Sequence, residues 1–138
     1  MIGIVLVTHT PLAAAFLAAA THVFKNVPVN LLALDVEPDQ DVYGVSDLLA
    51  QALQEVDVGD GALILSDICG ATPANCAAKM ASSRPNTVLM FGLNMPMLLR
   101  ALTYRELPLA QVVQKAIEGG KNGIVAHECS AKPDHLGA

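Results

Sequence analysis

Two side chains in this sequence stand where chemistry is usually done, each at the end of a short apolar run. Ile2-Gly3-Ile4-Val5-Leu6-Val7 stops at Thr8-His9-Thr10-Pro11, and Ala62-Leu63-Ile64-Leu65 stops at Ser66-Asp67. Such runs are too short for helices and read as strands buried on both faces. In an open α/β sheet the loops leaving the carboxyl ends of strands face the ligand crevice. An imidazole there, with the hydroxyls of Thr8 and Thr10 on either side, is suited to catalysis. On its own it would serve equally well as a structural or surface residue. Asp67 shifts that balance. A carboxylate ending a buried strand is costly without a partner. Neighbouring strands lie about 4.8 Å apart, so His9 is the natural one. A hydrogen bond to one ring nitrogen fixes the tautomer and leaves the other nitrogen with a nucleophilic lone pair. The competing use of Asp67 is to cap its own turn.

The loop Ser66-Asp67-Ile68-Cys69-Gly70-Ala71-Thr72-Pro73 adds the parts of an anion site. Gly70 and Ala71 let the backbone approach a ligand. Thr72 is placed as N-cap and Pro73 at the first helical position, where its missing N–H costs nothing. Free amides and the helix dipole then favour a phosphate. An ordinary capped helix start is the alternative. Neither G-x-G-x-x-G nor G-x-x-x-x-G-K-[ST] occurs, which weakens a nucleotide-binding reading. The economical chemistry is transfer of a phosphoryl group onto and off His9, which needs positioning and donors but no Mg²⁺-nucleotide apparatus. A metal-dependent hydrolase built on His9, Asp67 and Cys69 lacks third and fourth ligands. Cys69 and Cys76 match no common zinc spacing. No metal or cofactor is expected.

These loops must be held by alternating strands and helices. The uncharged, Ala-rich stretch Ala13 to Phe24 reads as a helix packed on the sheet or on another subunit. Val29 to Val36 reads as a second strand. Val42, Val45, Leu49, Ala52 and Val56 form the buried stripe of a helix, weakened at Gly44 by about 1 kcal/mol. A helix from Pro73 to Ser82 and a strand from Thr87 to Phe91 follow the third strand. A third loop, Gly92-Leu93-Asn94-Met95-Pro96, opens a helix containing Leu98, Leu99 and Leu102. Pro108 opens the last helix, with Gly119-Gly120 at its end, and Ile124 to His127 is expected as a fifth strand. The predicted fold is a doubly wound, mainly parallel five-stranded sheet with helices on both faces. Residues 1–129 are expected to form one domain and 130–138 a flexible tail.

Composition excludes several classes. The chain has 138 residues, 53% hydrophobic and 15% charged, with net charge -5. That suits one compact domain burying roughly two-thirds of its unfolded surface. Its eight basic residues are scattered, which argues against nucleic-acid binding. Met1 to Phe24 is uncharged but lacks a basic n-region, and Pro11 would break a spanning helix, so neither a signal peptide nor membrane insertion is expected. Three cysteines without a C-x-x-C fit a cytoplasmic location better than a disulfide framework. His22 reads as a packed or surface residue of the first helix, His127 as one that could reach an interface through the last strand, and His135 as a tail residue. Arg100 and Arg105 read as solvated, with charge matching to a partner as their functional alternative.

The segments Ile4-Val5-Leu6-Val7-Thr8-His9, Leu65-Ser66-Asp67 through Gly70-Ala71-Thr72-Pro73-Ala74-Asn75, and Gly92-Leu93-Asn94-Met95-Pro96-Met97-Leu98 carry a resemblance. Together they resemble enzyme IIA of the mannose family of the bacterial phosphoenolpyruvate-dependent sugar phosphotransferase system, over residues 1–127. The resemblance implies that His9 accepts a phosphoryl group from the phosphocarrier protein HPr and passes it to a IIB-type acceptor. It implies that Asp67 orients His9 and that Thr8, Thr10, Gly70, Ala71 and Thr72 surround the phosphoryl oxygens. Cys69, Asn94 and Met95 would form the rim where a partner docks. It further implies a homodimer in which Ile124 to His127 is an exchanged, antiparallel strand. Three positions depart from the pattern: Thr10 stands where Gly is frequent, Cys69 where an aromatic is frequent, and Ala71 where a second Gly is frequent. Two other functions fit the same residues. One is the phosphoryl-carrier subunit of a dihydroxyacetone kinase; the Asn94-Met95-Pro96 loop favours the mannose type. The other is a regulatory binding module.

Overall fold

A computed structural model describes residues 1–69 and 71–129. Gly70 and the segment 130–138, which holds the expected tail and His135, lie outside the described residues. Strands and helices alternate as β1 (Gly3–His9), α1 (Leu12–Phe24), β2 (Leu31–Val36), α2 (Val42–Val56), β3 (Ala62–Ser66), α3 (Thr72–Ser83) and β4 (Thr87–Met90). Two helices follow, α4 (Met95–Thr103) and α5 (Leu109–Asn122).

The described sheet has four strands in the order β2-β1-β3-β4, and every pairing is parallel. The chain winds outward from β1 to β2 and then returns to β3 on the other side. The reversal makes the β1–β3 gap the topological switch point, where such sheets bind ligands. Alternation along each strand feeds two cores. Ile4, Leu6, Leu63 and Leu65 pack with α1, α4 and α5 on one face. Val5, Val7, Ala62 and Ile64 pack with α2 and α3 on the other.

The expected fifth strand is absent: Ile124 to His127 has no sheet pairing among the described residues. Ile124 and Val125 are 81% and 76% exposed. Apolar alternation alone does not make a strand, because its backbone groups must find a sheet edge, and α5 delivers this segment to none in its own chain. The glycines Gly119-Gly120 do not end α5, which continues to Asn122. They permit close packing instead. A Cβ on Gly119 would lie 2.7 Å from Arg100 Cβ and 2.9 Å from the Pro96 carbonyl oxygen, so α4 and α5 meet almost backbone to backbone.

Candidate functional site

β1 extends further than its apolar run. Thr8 and His9 remain in the ladder, opposite Asp35 and Val36 of β2, and the Thr10 N–H donates to the Val36 carbonyl at 3.2 Å. His9 therefore stands on the end of a strand rather than in a loop. By the two-residue alternation it shares the α2–α3 side with Val5 and Val7.

Asp67 approaches from the end of β3. Its Oδ2 lies 2.8 Å from His9 Nδ1 and accepts the His9 backbone N–H at 3.1 Å, while Oδ1 accepts the Ile68 N–H at 3.0 Å. One carboxylate thus grips both the ring and the backbone of His9. The Asp67 side chain is 12% exposed and the His9 side chain 48%. Burial pushes the Asp67 carboxyl upward. The hydrogen bonds from the His9 ring, the His9 N–H and the Ile68 N–H outweigh it, helped by coulombic attraction to His9, and hold the carboxyl below its ordinary value. An acceptor at Nδ1 selects the Nδ1–H tautomer when the ring is neutral, leaving Nε2 with its lone pair.

Beside this pair, α3 packs on β1, β3 and β4. Its amino end differs from expectation. Ala71 is the N-cap and makes no side-chain cap bond, Thr72 is the first helical residue, and Pro73 follows. Thr72 does not cap the helix because the extended backbone that an N-cap needs falls at Ala71. Among the described residues no side chain caps the amino end of α3, where Pro73 has no N–H to offer, and the helix dipole favours an anion there. Ala71 is half-buried and Thr72 exposed; Gly70 lies outside the described residues.

The remaining expected residues separate by role. Thr8 is buried, and its hydroxyl donates to Asp35 Oδ1 at 3.2 Å and to the His9 carbonyl at 3.1 Å. Thr10 and Cys69 are exposed. Asn94 is the N-cap of α4, accepting the Met97 N–H at 2.9 Å, and its Nδ2 donates to the Gly120 carbonyl at 3.1 Å. Met95 packs on the core. The loop after β4 is tied to the loop after β3: the Gly92 N–H reaches the Asp67 carbonyl at 3.2 Å, and the Leu93 N–H the Ser66 carbonyl at 3.0 Å.

Arg105 is not solvated. It is 6% exposed and donates to the carbonyls of Ile2, Val29 and Asn30, stapling the amino ends of β1 and β2. Burial lowers its pKa. Arg100 is half-buried, 3.8 Å from Glu118. Sequence reasoning overlooked Asp35, whose carboxylate accepts the Ala13 N–H at 2.9 Å and the Ala14 N–H at 3.2 Å. The cost of an unpartnered carboxylate at a strand end, which singled out Asp67, was the signal for it as well.

A cavity of about 410 Å³ at the opposite end of the sheet, lined by Met1, Asp60, Asn86 and Glu106 among others, shares no residue with this site. A second, of about 320 Å³, runs between the end of β4 and α5 and includes Phe91, Met97 and Ile124. Among the described residues, no group of three or more His, Cys, Asp and Glu side chains is placed to hold a metal ion.

Fold and site together define a parallel α/β protein with a carboxylate-braced, solvent-facing histidine at its switch point. The chain belongs to the mannose family of enzyme IIA components of the sugar phosphotransferase system: the family profile described as PTS system fructose IIA component matches residues 3–118. Its relatives include the PTS system sorbose-specific EIIA component of Lacticaseibacillus casei. The two are 27% identical over 111 residues, covering 80% of this chain and 79% of that one. The PTS system mannose-specific EIIAB component of Escherichia coli (strain K12) is 28% identical over 134 residues, covering 96% of this chain. This chain spans 41% of that longer protein. Among solved structures, the phosphotransferase system component EIIA from Streptococcus agalactiae superposes with a TM-score of 0.83 at 22% identity, covering 91% of this chain and 97% of that one. No helix among the described residues is long and apolar enough to cross a membrane.

Proposed function

We propose that this protein is a cytoplasmic phosphoryl carrier in which His9 Nε2 accepts a phosphoryl group from phospho-HPr and passes it to a IIB-type acceptor, in sugar uptake or its regulation. The observation that carries this reading is the 2.8 Å contact between Asp67 and Nδ1 of a half-exposed ring. Nε2 attacks phosphorus as the P–N bond to the donor histidine breaks. Positive charge develops on the imidazole, and the ionised Asp67 already stands against it, so little reorganisation is needed. The amino end of α3, which carries no capping side chain among the described residues, and the backbone around Ala71 and Thr72 would offer donors to the phosphoryl oxygens. The reverse attack by an acceptor nucleophile regenerates neutral His9. No nucleotide and no metal enters either step.

Two observations support a homodimer. Among the described residues β4 is an edge strand with an unpaired side, and Ile124 and Val125 stand exposed just beyond α5. An exchanged Ile124 to His127 segment would satisfy both, covering the apolar side chains and the strand edge together.

Incubation with phosphoenolpyruvate, enzyme I and HPr tests the carrier role. One acid-labile, base-stable phosphate per subunit is expected, and none on His9→Ala. A wild-type protein that stays unlabelled under conditions where HPr is phosphorylated defeats the reading.

A further inference from the structure

We propose that Asp35 is a positioning residue for His9: it closes the amino end of α1 with a protein carboxylate and holds Thr8, the residue before the histidine. This rests on the carrier reading above, whose residues do not include Asp35. Asp35 lies in β2 directly opposite Thr8. Its Oδ1 accepts from the Thr8 hydroxyl at 3.2 Å and from the Ala13 N–H at 2.9 Å, and its Oδ2 accepts from the Ala14 N–H at 3.2 Å. The bonds reach the residue before His9 and the first turn of the helix after it.

The need for such a group is visible in α1 itself. Its N-cap is Pro11, which makes no side-chain cap bond. Without Asp35, the N–H groups of Ala13 and Ala14 would have no partner, because a first turn has none of its own. A 13-residue helix with a bare amino end attracts anions, and this one begins only three residues beyond His9. A neighbouring strand supplies the carboxylate that closes it. α3, by contrast, starts at Ala71 with no capping side chain. One helix end is capped by a protein carboxylate, and the other carries no capping side chain among the described residues.

Asp35 also completes a frame. Asp67 holds the ring and N–H of His9, and the Val36 carbonyl holds the Thr10 N–H. Asp35 holds Thr8 and the start of α1. The segment carrying His9 is thereby fixed from both adjacent strands. Small displacements of a nucleophile cost large factors in rate. Asp35 touches neither the ring nor, in this arrangement, the phosphoryl group. It acts through Thr8 and α1.

The test uses the full chain with Asp35→Ala and Asp35→Asn. Three quantities are compared with wild type: the His9 ring tautomer by ¹⁵N NMR on unphosphorylated protein, the response of the Ala13 and Ala14 amide resonances to sodium sulfate against a chloride control of equal ionic strength, and the rate of phosphoryl uptake from phospho-HPr. In Asp35→Ala, uptake slows roughly tenfold, the Nδ1–H tautomer loses population, and both amides shift saturably with sulfate while wild-type amides do not. Asp35→Asn keeps one acceptor oxygen and falls between. A folded Asp35→Ala with unchanged tautomer and no sulfate response overturns the proposal. If Asp35→Ala does not fold, the same two results in Asp35→Asn overturn it. The NMR readouts do not depend on transfer, so an unlabelled wild-type protein with sulfate-responsive variants would defeat the carrier reading and leave the positioning role standing.

Discussion

At the residue scale, His9 and Asp67 form a unit whose members have unequal tasks. In the proposed carrier role His9 would supply the lone pair, so its removal should eliminate the reaction; Asp67 would supply orientation and charge, so its neutralisation should slow it. Asp67→Asn is expected to retain the phosphate but to acquire it roughly 10²-fold more slowly, the scale of losing one preorganised electrostatic contact, as rapid-quench labelling would read. The same carboxylate makes stability depend on pH. Its pKa is held below the ordinary 3.8, so its contribution is complete above that value and is lost as pH falls through the folded one. Urea unfolding midpoints of wild type and Asp67→Asn should differ at neutral pH and converge in acid. A gap independent of pH would mean that the carboxylate is not engaged as an anion. His9 and Asp67 were both legible in the sequence, because each ends a run that could only be a buried strand. Asp35 was missed, since Val36 follows it and its run shows no break there.

At the scale of elements, the loops after β1, β3 and β4 meet because parallel strands put all their carboxyl ends on one edge. Asn94 belongs to this level. Its side chain caps α4 and ties it to Gly120 of α5. Asn94→Ala should therefore lower stability by about 1–2 kcal/mol in chemical denaturation. The glycines give a second, paired prediction. Gly119→Ala would push a methyl into Arg100 and Pro96 of α4, costing about 1–3 kcal/mol for overpacking. Gly44→Ala in α2 meets nothing within 4 Å and should stabilise by about 0.4–1 kcal/mol. Opposite signs for the same substitution in two helices would separate glycine as a packing device from glycine as a tolerated weakness. Sequence alone cannot tell them apart. Gly119-Gly120 reads as a terminator until the neighbouring helix is in place.

At the scale of the molecule, the two cores cover both sheet faces but leave the β4 edge and the segment after α5 without partners among the described residues. In the proposed homodimer a second copy would cover both. Ile124→Asp is expected to shift the protein from dimer toward monomer in size-exclusion chromatography with light scattering, because a charge would be buried at the exchanged strand. A wild-type protein that runs as a monomer at micromolar concentration would remove the homodimer from the proposal.

Apolar runs, their lengths and the turn residues between them determined the alternation of strand and helix, and with it the edge of the sheet where His9 and Asp67 stand. Those are local properties, written in periodicity and in the cost of burying a backbone or a charge. Only the tertiary structure decided which carboxylate faces which donor, that Thr8 turns to Asp35, that Arg105 is buried against strand carbonyls, and that the N-cap of α3 falls at Ala71 rather than Thr72. Contacts between residues distant along the chain depend on how strands are ordered and helices dock, and no local pattern encodes that order.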